Sequence, residues 1–179
     1  MSFFFTADTH FNHKRIIEYC GYPFSDVEEM NETIITRWNR VVKKRDTVYH
    51  LGDFGWGNCR EIAERLNGKI ILIRGGHDHS RILRAYASRF SAIHDLLTLK
   101  IERQVVVLCH YCLRVWDRSH YNSWHLYGHS HGNLPPIGKS LDVGIGQHDF
   151  TPWSWKEIKS YMKTRPNNFN YLGDQHLRK

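Results

Sequence analysis

Five largely apolar stretches of this chain are each followed by an aspartate or a histidine, either directly or after one or two glycines. Each stretch has four to six residues, the length of a buried β-strand. In α/β folds the carboxyl ends of strands border the ligand crevice, so side chains that are distant in sequence are predicted to converge in one pocket. The polar groups that follow the stretches are Asp8-Thr9-His10, Gly52-Asp53, Gly75-Gly76-His77-Asp78, His110 and Gly128-His129-Ser130-His131.

Helical and hairpin patterns lie between these strands. Apolar residues at helical spacing predict an amphipathic helix over Asp26–Lys43, with a capping box from Ser25 to Glu28. The other predicted elements are strands Phe3–Ala7, Thr47–Leu51, Lys69–Arg74, Ala92–Ile101, Gln104–Cys109, Trp124–Tyr127 and Ser140–Val143, and helices from Asn58 through Leu66, over Ser80–Phe90, and from Thr151-Pro152 to before Pro166. This order predicts one α/β domain over residues 1–166, on a mixed sheet or on two packed sheets, and a loose polar tail over 167–179.

The composition of the 179 residues is that of a globular protein, with 41% hydrophobic and 24% charged residues. No apolar run approaches the roughly 18 residues of a membrane span, and the first residues lack the basic region of a signal peptide. We therefore expect no membrane segment and a cytoplasmic location. The four cysteines are expected to be free, and Cys109 and Cys112 to be buried thiols rather than a redox or zinc half-site.

The residues at the strand ends are those that bind divalent metals. Carboxylates and imidazoles suit manganese, iron or zinc, and thiolates are absent from these positions. Two metal ions about 3.5–4 Å apart can hold the entering and the leaving oxygen of a phosphoryl group. Such a site needs two carboxylates, one of them bridging, and about four imidazoles, and this chain has them.

Together these motifs resemble the signature of the calcineurin-like metallophosphoesterase superfamily, and the short length resembles its small prokaryotic and phage members. The resemblance implies two packed mixed β-sheets flanked by helices. It also implies a dinuclear centre of two divalent ions, with Mn²⁺ favoured and Fe, Zn, Ni or Mg as alternatives. One ion would be held by Asp8, His10, Asp53 and His131, and the other by Asp53, His110 and His129. His77 and Asp78 would be the catalytic residues. His77 would act near the leaving group, and Asp78 would orient that loop, with a cap of the following helix as its alternative.

The chain departs from the family signature at Gly76, where the family has an asparagine that binds the second metal and the phosphate. Three explanations remain open: water or a neighbour such as His79 replaces the amide, the second metal binds weakly, or the residue was replaced to trap an inactive complex. The favoured interpretation is a weakened second site. The alternative function is a catalytically impaired nucleotide or nucleic-acid binding protein with the same fold.

The resemblance to small family members implies hydrolysis of a nucleotide-type phosphodiester. The net charge of +7 adds weak support, because a positive surface favours encounter with phosphates. Asn12, Arg114 and the Gly76 loop are the candidate substrate contacts, and Arg114 is weighed against a structural ion pair. His13 is considered together with Asn12, and both are weighed against a place in a surface loop. Trp116, Trp124 and Tyr127 are weighed as base-stacking residues, with the core favoured for Tyr127. The binding partner would be a small-molecule phosphate ester, with a nucleotide or a nucleic acid as candidates. The sequence does not predict an oligomeric state.

Overall fold

The computed structural model describes residues 1–79 and 83–173. Two packed sheets form its centre, and the predicted α/β fold with two mixed sheets flanked by helices is confirmed. The helices and strands of the described residues are β1 (Phe3–Thr6), α1 (Arg15–Cys20), α2 (Val27–Val41), β2 (Thr47–His50), α3 (Arg60–Arg65), β3 (Lys69–Ile73), β4 (Phe90–His94), β5 (Leu96–Ile101), β6 (Gln104–Cys109), β7 (Trp124–Tyr127), β8 (Ser140–Asp142), β9 (Trp153–Ser154) and α4 (Trp155–Thr164).

The first sheet has the order β4-β3-β2-β1-β9, with β1 to β4 parallel and β9 antiparallel to β1. Its side chains alternate between two cores. Phe4 and Leu72 pack against the helices, whereas Phe5 and Ile73 pack against the second sheet. Because both faces are buried, these strands appear in the sequence as unbroken apolar runs.

The second sheet has the order β5-β6-β7-β8, in which β5 and β6 are antiparallel and β6, β7 and β8 are parallel. Leu108 and Leu126 of this sheet pack against the first sheet. At the carboxyl end of β1, the Ala7 N–H donates to the Val143 carbonyl, and the Ile145 N–H donates to the Ala7 carbonyl. These bonds bring the carboxyl ends of both sets of parallel strands to one edge of the molecule.

Three helix starts differ from the prediction. The α3 helix begins at Arg60, after Cys59, rather than at Asn58. The α2 helix is capped by Asp26, whose side chain accepts from the Glu29 N–H, so the cap lies one residue later than predicted. The α4 helix begins at Trp155 rather than at Thr151-Pro152, because Ser154 and Glu157 form a capping box there. Residues Trp153 and Ser154 instead pair with β1 as β9.

The predicted strand Ala92–Ile101 is wrong as a single element. The chain leaves the first sheet after β4 and enters the second sheet as β5, and the break is at Asp95. The Arg74 guanidinium donates two hydrogen bonds, of 2.8 and 2.7 Å, to the Asp95 carboxylate, which fixes the crossing. Apolar residues flank the break on both sides, so the sequence pattern does not reveal the change of sheet.

The predicted helix Ser80–Phe90 is partly outside the described residues, since residues 80–82 are not among them. Ala87–Arg89 form a 3₁₀ helix, and Phe90 already belongs to β4, so the predicted end of the helix is wrong. The Arg89 guanidinium donates to the carbonyls of Ala63, Leu66 and Gly68, which ties this segment to the end of α3. The short helix α1, which ends at Gly21, was not predicted.

The start of the predicted tail is attached to the domain. Asn168 is buried, and its amide donates to the carbonyls of Ser119 and Ser123. Residues 174–179 lie outside the described part of the chain. All four cysteines are free, but Cys112 is exposed, so the expectation of a buried thiol is wrong for that residue. Every helix in the described ranges is too short or too polar to traverse a lipid bilayer.

Phe5 is fully buried between the two sheets. Its substitution therefore tests how much the core between the sheets contributes to the stability of the protein. We expect Phe5→Ala to lower the free energy of unfolding by about 3–5 kcal/mol, because the lost side chain leaves a cavity between two sheets. Urea unfolding followed by circular dichroism measures this change. The control Phe169→Ala removes an exposed ring and should shift stability by less than about 1 kcal/mol. Equal effects of the two substitutions would contradict the assignment of this core.

Candidate metal centre

The loops that follow β1 and β2 are joined by backbone hydrogen bonds. The Asp8 N–H donates to the Gly52 carbonyl, and the His10 N–H donates to the Asp53 carbonyl. The Phe11 N–H then donates to the Phe54 carbonyl. These three bonds continue the pairing of the parallel strands beyond the sheet and hold the first two polar motifs side by side.

Five residues of the predicted metal set adopt left-handed backbone conformations, with φ between 43° and 67°: Asp8, His10, Asp53, His129 and His131. This conformation is uncommon for residues other than glycine, although aspartate and histidine tolerate it better than most. Its concentration at one place indicates backbone strain held for function rather than for folding.

The predicted metal ligands form two groups. Asp8, His10 and His131 make the first group, and Asp53, His110 and His129 make the second. Within each group the candidate ligand atoms all lie within 4.8 Å of one another. Residues from four separate loops, those after β1, β2, β6 and β7, are therefore close enough to share divalent ions.

The Asp53 carboxylate lies between the groups. Its Oδ2 atom is 3.5 Å from His110 Nε2, 3.7 Å from His10 Nε2 and 3.9 Å from His77 Nε2. Its other oxygen accepts a 2.8 Å hydrogen bond from the His77 N–H. One carboxylate oxygen thus faces three imidazoles, which is the placement that a bridging ligand needs.

Unpaired nitrogens show that these residues suit a metal. His110 Nδ1 is 2.7 Å from the Leu51 carbonyl oxygen, so Nδ1 carries the proton and Nε2 presents a lone pair. His110 Nε2, His10 Nε2 and His131 Nδ1 are buried without a hydrogen-bond partner among the described residues. Burial is the main cause, and repulsion from His131 the next, of the lowering of the His10 pKa to about 2. The ring therefore stays neutral and can bind a cation.

Two buried carboxylates support the loops from below. Asp78 accepts hydrogen bonds from the N–H groups of Asp53, Phe54 and Gly75, at 2.7, 3.1 and 2.8 Å. Asp78 is only 2% exposed and does not line the main cavity, and its bonds to three backbone N–H groups position the loops.

Asp142 holds the loop after β7 in the same way, and no role was predicted for it. Its Oδ2 atom accepts from the Ser130 hydroxyl and the Gly132 N–H, and its Oδ1 atom accepts from the Gly144 N–H. The sequence pattern that could have identified Asp142 was present, because Asp142 is at the end of β8, as the predicted ligands are at the ends of their strands.

Gly128, in the loop after β7, lies very close to the first group. A Cβ added to Gly128 would lie 2.5 Å from Ala7 Cβ and 2.7 Å from Asp8 Oδ2.

An open cavity of about 770 Å³ lies above these groups. His10, Asp53, His77, His129 and His131 line it, and Asp8 and His110 are buried beneath it. His77 stands at its surface with 42% of its side chain exposed. The remaining wall includes Asn12, His13, Lys14, Arg15, Tyr19 and Trp56, of which Asn12 and His13 were named from the sequence as possible substrate contacts.

The predicted substrate contacts lie in different places. Asn12 lines the cavity, but its amide is engaged with Asn31 and Asn58. Arg114 is outside the cavity lining, with its guanidinium 5.7 Å from the centre of the Phe169 ring, so a phosphate clamp at this residue is not supported. Trp116 and Tyr127 are buried and Trp124 packs against Trp155, so none of the three is in the cavity.

The space beside Gly76 is bordered by a tyrosine hydroxyl. A Cβ built on Gly76 would lie 3.3 Å from Tyr111 Oη. The Tyr111 ring is 4.9 Å from the rings of both His110 and His129, in the second metal-competent group. His79 does not line the main cavity and borders a neighbouring one instead. Tyr111, rather than His79, is therefore the side chain next to the missing amide.

Asp8 makes the stability of the metal-free protein depend on pH. Burial, and then repulsion from Asp142, raises the pKa of Asp8 well above its usual value. The native state then keeps a proton that the unfolded state has released, so stability falls as pH rises from the usual carboxyl pKa to the raised one. In EDTA we expect Asp8→Asn to be more stable than the parent at pH 8, and the difference in stability to shrink at pH 5.

Urea unfolding at the two pH values measures the effect of this substitution. Asp117→Asn changes an exposed aspartate and serves as the control, with no expected gain at either pH. An Asp8→Asn protein that is less stable than the parent at both pH values would show that the buried charge is not the dominant effect.

Comparison with known proteins identifies the family. The model of the calcineurin-like phosphoesterase superfamily domain matches residues 1–135. An uncharacterised protein of Methanocaldococcus jannaschii is 35% identical over 167 residues, which cover 83% of this chain and 84% of that protein. The crystal structure of a protein of unknown function from Aquifex aeolicus aligns with a TM-score of 0.70 and 26% identity, over 89% of this chain and 98% of that one. A structure described as a novel archaeal phosphodiesterase shares the fold, with a TM-score of 0.50 and 21% identity, over 82% of this chain and 84% of that chain. The chain therefore belongs to the calcineurin-like phosphoesterase superfamily and is a hydrolase that acts on phosphate esters.

Proposed function

We propose that this protein is a phosphodiesterase that hydrolyses nucleotide-type diesters at a dinuclear centre of two divalent ions, with Mn²⁺ as the favoured metal. The observation that carries the proposal is the pair of adjoining ligand groups in one cavity. Each group combines one carboxylate with two imidazoles, a donor set typical of manganese, iron or zinc.

The proposed ion positions follow the two groups. Asp8, His10 and His131 would hold the first ion, and His110 and His129 the second, with Asp53 shared between them. The unpaired nitrogens of His10, His110 and His131 support this assignment. Divalent cations bound there would supply positive charge to the phosphoryl oxygens and would make water acidic enough to react near neutral pH.

The side chains of the cavity would then bind and orient the ester. His77, which is partly exposed at the cavity surface, is placed to hold a proton for the departing oxygen. The Asp53 carboxylate accepts the 2.8 Å hydrogen bond from the His77 N–H, which fixes the backbone of His77 next to the shared carboxylate. Asp78 and Asp142 would maintain the loop geometry without touching the substrate.

Several features support a diester of nucleotide type. The cavity is large enough to hold organic groups beside the phosphate, and its wall contains Tyr19 and Trp56 with Lys14 and Arg15. The net charge of +7 favours approach of anionic substrates, including nucleic acid. Four free cysteines support a location in the cytoplasm, where thiols stay reduced.

A metal-dependent assay tests the proposed activity. Protein stripped with EDTA should not hydrolyse bis-p-nitrophenyl phosphate, and added Mn²⁺ should restore hydrolysis with two ions bound per chain. His129→Ala removes a ligand from the second group, and we expect kcat/KM to fall about 100-fold or more, since even outer partners of metal ligands are worth 10–100-fold. His120→Ala is the matched control, because His120 does not line the cavity. Activity that is unaffected by EDTA, or one bound ion with full activity, would refute the dinuclear proposal.

Gly76 allows a second test of the same centre. Gly76 is outside the left-handed region and has room for a side chain if Tyr111 moves by a few tenths of an ångström. We expect Gly76→Asn to tighten Mn²⁺ binding and to raise kcat/KM about tenfold, because an amide oxygen would join the second group. Gly76→Ala adds bulk without a ligand and should give no gain.

The outcome of this substitution also decides between the two candidate functions. Unchanged turnover in Gly76→Asn would show that the second ion is already bound adequately. Absence of turnover in both the parent and Gly76→Asn, together with tight nucleotide binding, would favour the alternative of an impaired binding protein.

A further inference from the structure

The cavity wall beside the metal-competent groups carries a pair of stacked aromatic rings. The rings of His13 and Trp56 are 5.1 Å apart at an angle of 15°. Trp56 remains 49% exposed, and both residues line the main cavity. Tyr19, 67% exposed, extends this wall, with its ring 6.4 Å from that of His13. An indole that is half open to water inside a polar cavity is not explained by packing of the core.

The backbone that carries Trp56 is firmly held. The Trp56 N–H donates a 2.7 Å hydrogen bond to the Phe11 carbonyl, and Phe11 and Gly55 form a parallel bridge. The Cys59 thiol donates to the Trp56 carbonyl at 3.4 Å. The indole therefore projects from a fixed point on the same paired loops that carry His10 and Asp53, and a ligand would find it already in position.

The stacked pair is close to the proposed reaction centre. The Trp56 ring is 5.6 Å from the His77 ring, and the His13 ring is 5.4 Å from the His10 ring. His77 in turn is 3.9 Å from the Asp53 carboxylate. A flat group that is attached to a phosphate through a sugar could contact the indole while the phosphate lies over Asp53.

Two cations adjoin the stacked pair. Lys14 and Arg15 are exposed, line the same cavity, and form no ion pair among the described residues. Exposed cations next to an exposed aromatic ring make the combination that binds single-stranded nucleic acid or nucleotides without a strict sequence preference. This charge distribution favours a nucleotide over an uncharged aromatic compound.

We infer that Trp56, supported by His13, is a specificity-determining residue that stacks on the base of a nucleoside phosphodiester. The inference rests on the proposed phosphodiesterase function and adds which chemical group the enzyme selects beside the phosphate. Base stacking on an aromatic ring tolerates all bases, so the residue would select nucleosides as a class rather than one base.

Two substrates with the same leaving group test this role. Thymidine 5′-(p-nitrophenyl phosphate) and methyl p-nitrophenyl phosphate are both singly charged diesters. The first carries a nucleoside, whose base Trp56 would contact, where the second carries a methyl group. The measured quantity is the preference, defined as kcat/KM for the thymidine ester divided by kcat/KM for the methyl ester. We expect Trp56→Ala to lower this preference about tenfold, and Trp56→Phe to retain most of it.

Phe169→Ala is the control, since Phe169 is an exposed aromatic residue that does not line the cavity, and the preference should not change. An equal loss of kcat/KM on both esters in Trp56→Ala would overturn the inference and would indicate that Trp56 only maintains the shape of the site. A preference that is unchanged in Trp56→Ala would overturn it as well.

Failure of the proposed function would be seen separately, as no hydrolysis of either ester by the parent protein with Mn²⁺. In that case the inference is decided by equilibrium dialysis with thymidine 5′-monophosphate and with inorganic phosphate. Trp56→Ala should weaken binding of the nucleotide about tenfold and leave binding of inorganic phosphate within about twofold. Equal affinity of the parent and Trp56→Ala for the nucleotide would overturn the inference.

Discussion

The concentration of buried negative charge at the strand ends is the constraint on which the rest of the structure depends. Asp8 is fully buried, and the charges of Asp142, Asp53 and Asp78 all raise its pKa. Carboxylates that repel one another in a desolvated place need either protons or cations. The backbone N–H groups that bind Asp78, Asp142 and Asp8 offset part of this repulsion, and divalent ions would offset the remainder.

Much of the fold and of the site could be predicted, because both depend on the same local pattern. A buried parallel strand appears in the sequence as an apolar run, and its carboxyl end is marked by the polar residue that follows. Asp8, Asp53 and His110 illustrate this, since each lies where its own strand ends. The residues that could not be predicted depend on contacts between segments that are far apart in the chain. Trp56 was one of six tryptophans, and nothing in its neighbourhood distinguished it from the residues of the core.

The errors in the prediction have the same physical origin. Asp95 separates two strands of different sheets, and only the pairing partners of β4 and β5 show this. Arg114 is near His110 in sequence, but its side chain lies against Phe169. Tyr111 was overlooked because it is the neighbour of Gly76 across the loops and not along the chain. Local periodicity contains no information about contacts between distant segments. The ends of parallel strands are an exception, because parallel pairing brings them to the same edge of the sheet.

The close approach at Gly128 has a consequence for how this enzyme can be altered. The Cβ of any other residue at that position would displace Ala7 or the Asp8 carboxylate. The space at position 128 thus limits the geometry of the first ligand group, although Gly128 lies in the loop after β7. Substitutions, insertions or deletions in the surrounding loops can change the geometry of the ligands, but Gly128 itself has no room for a side chain.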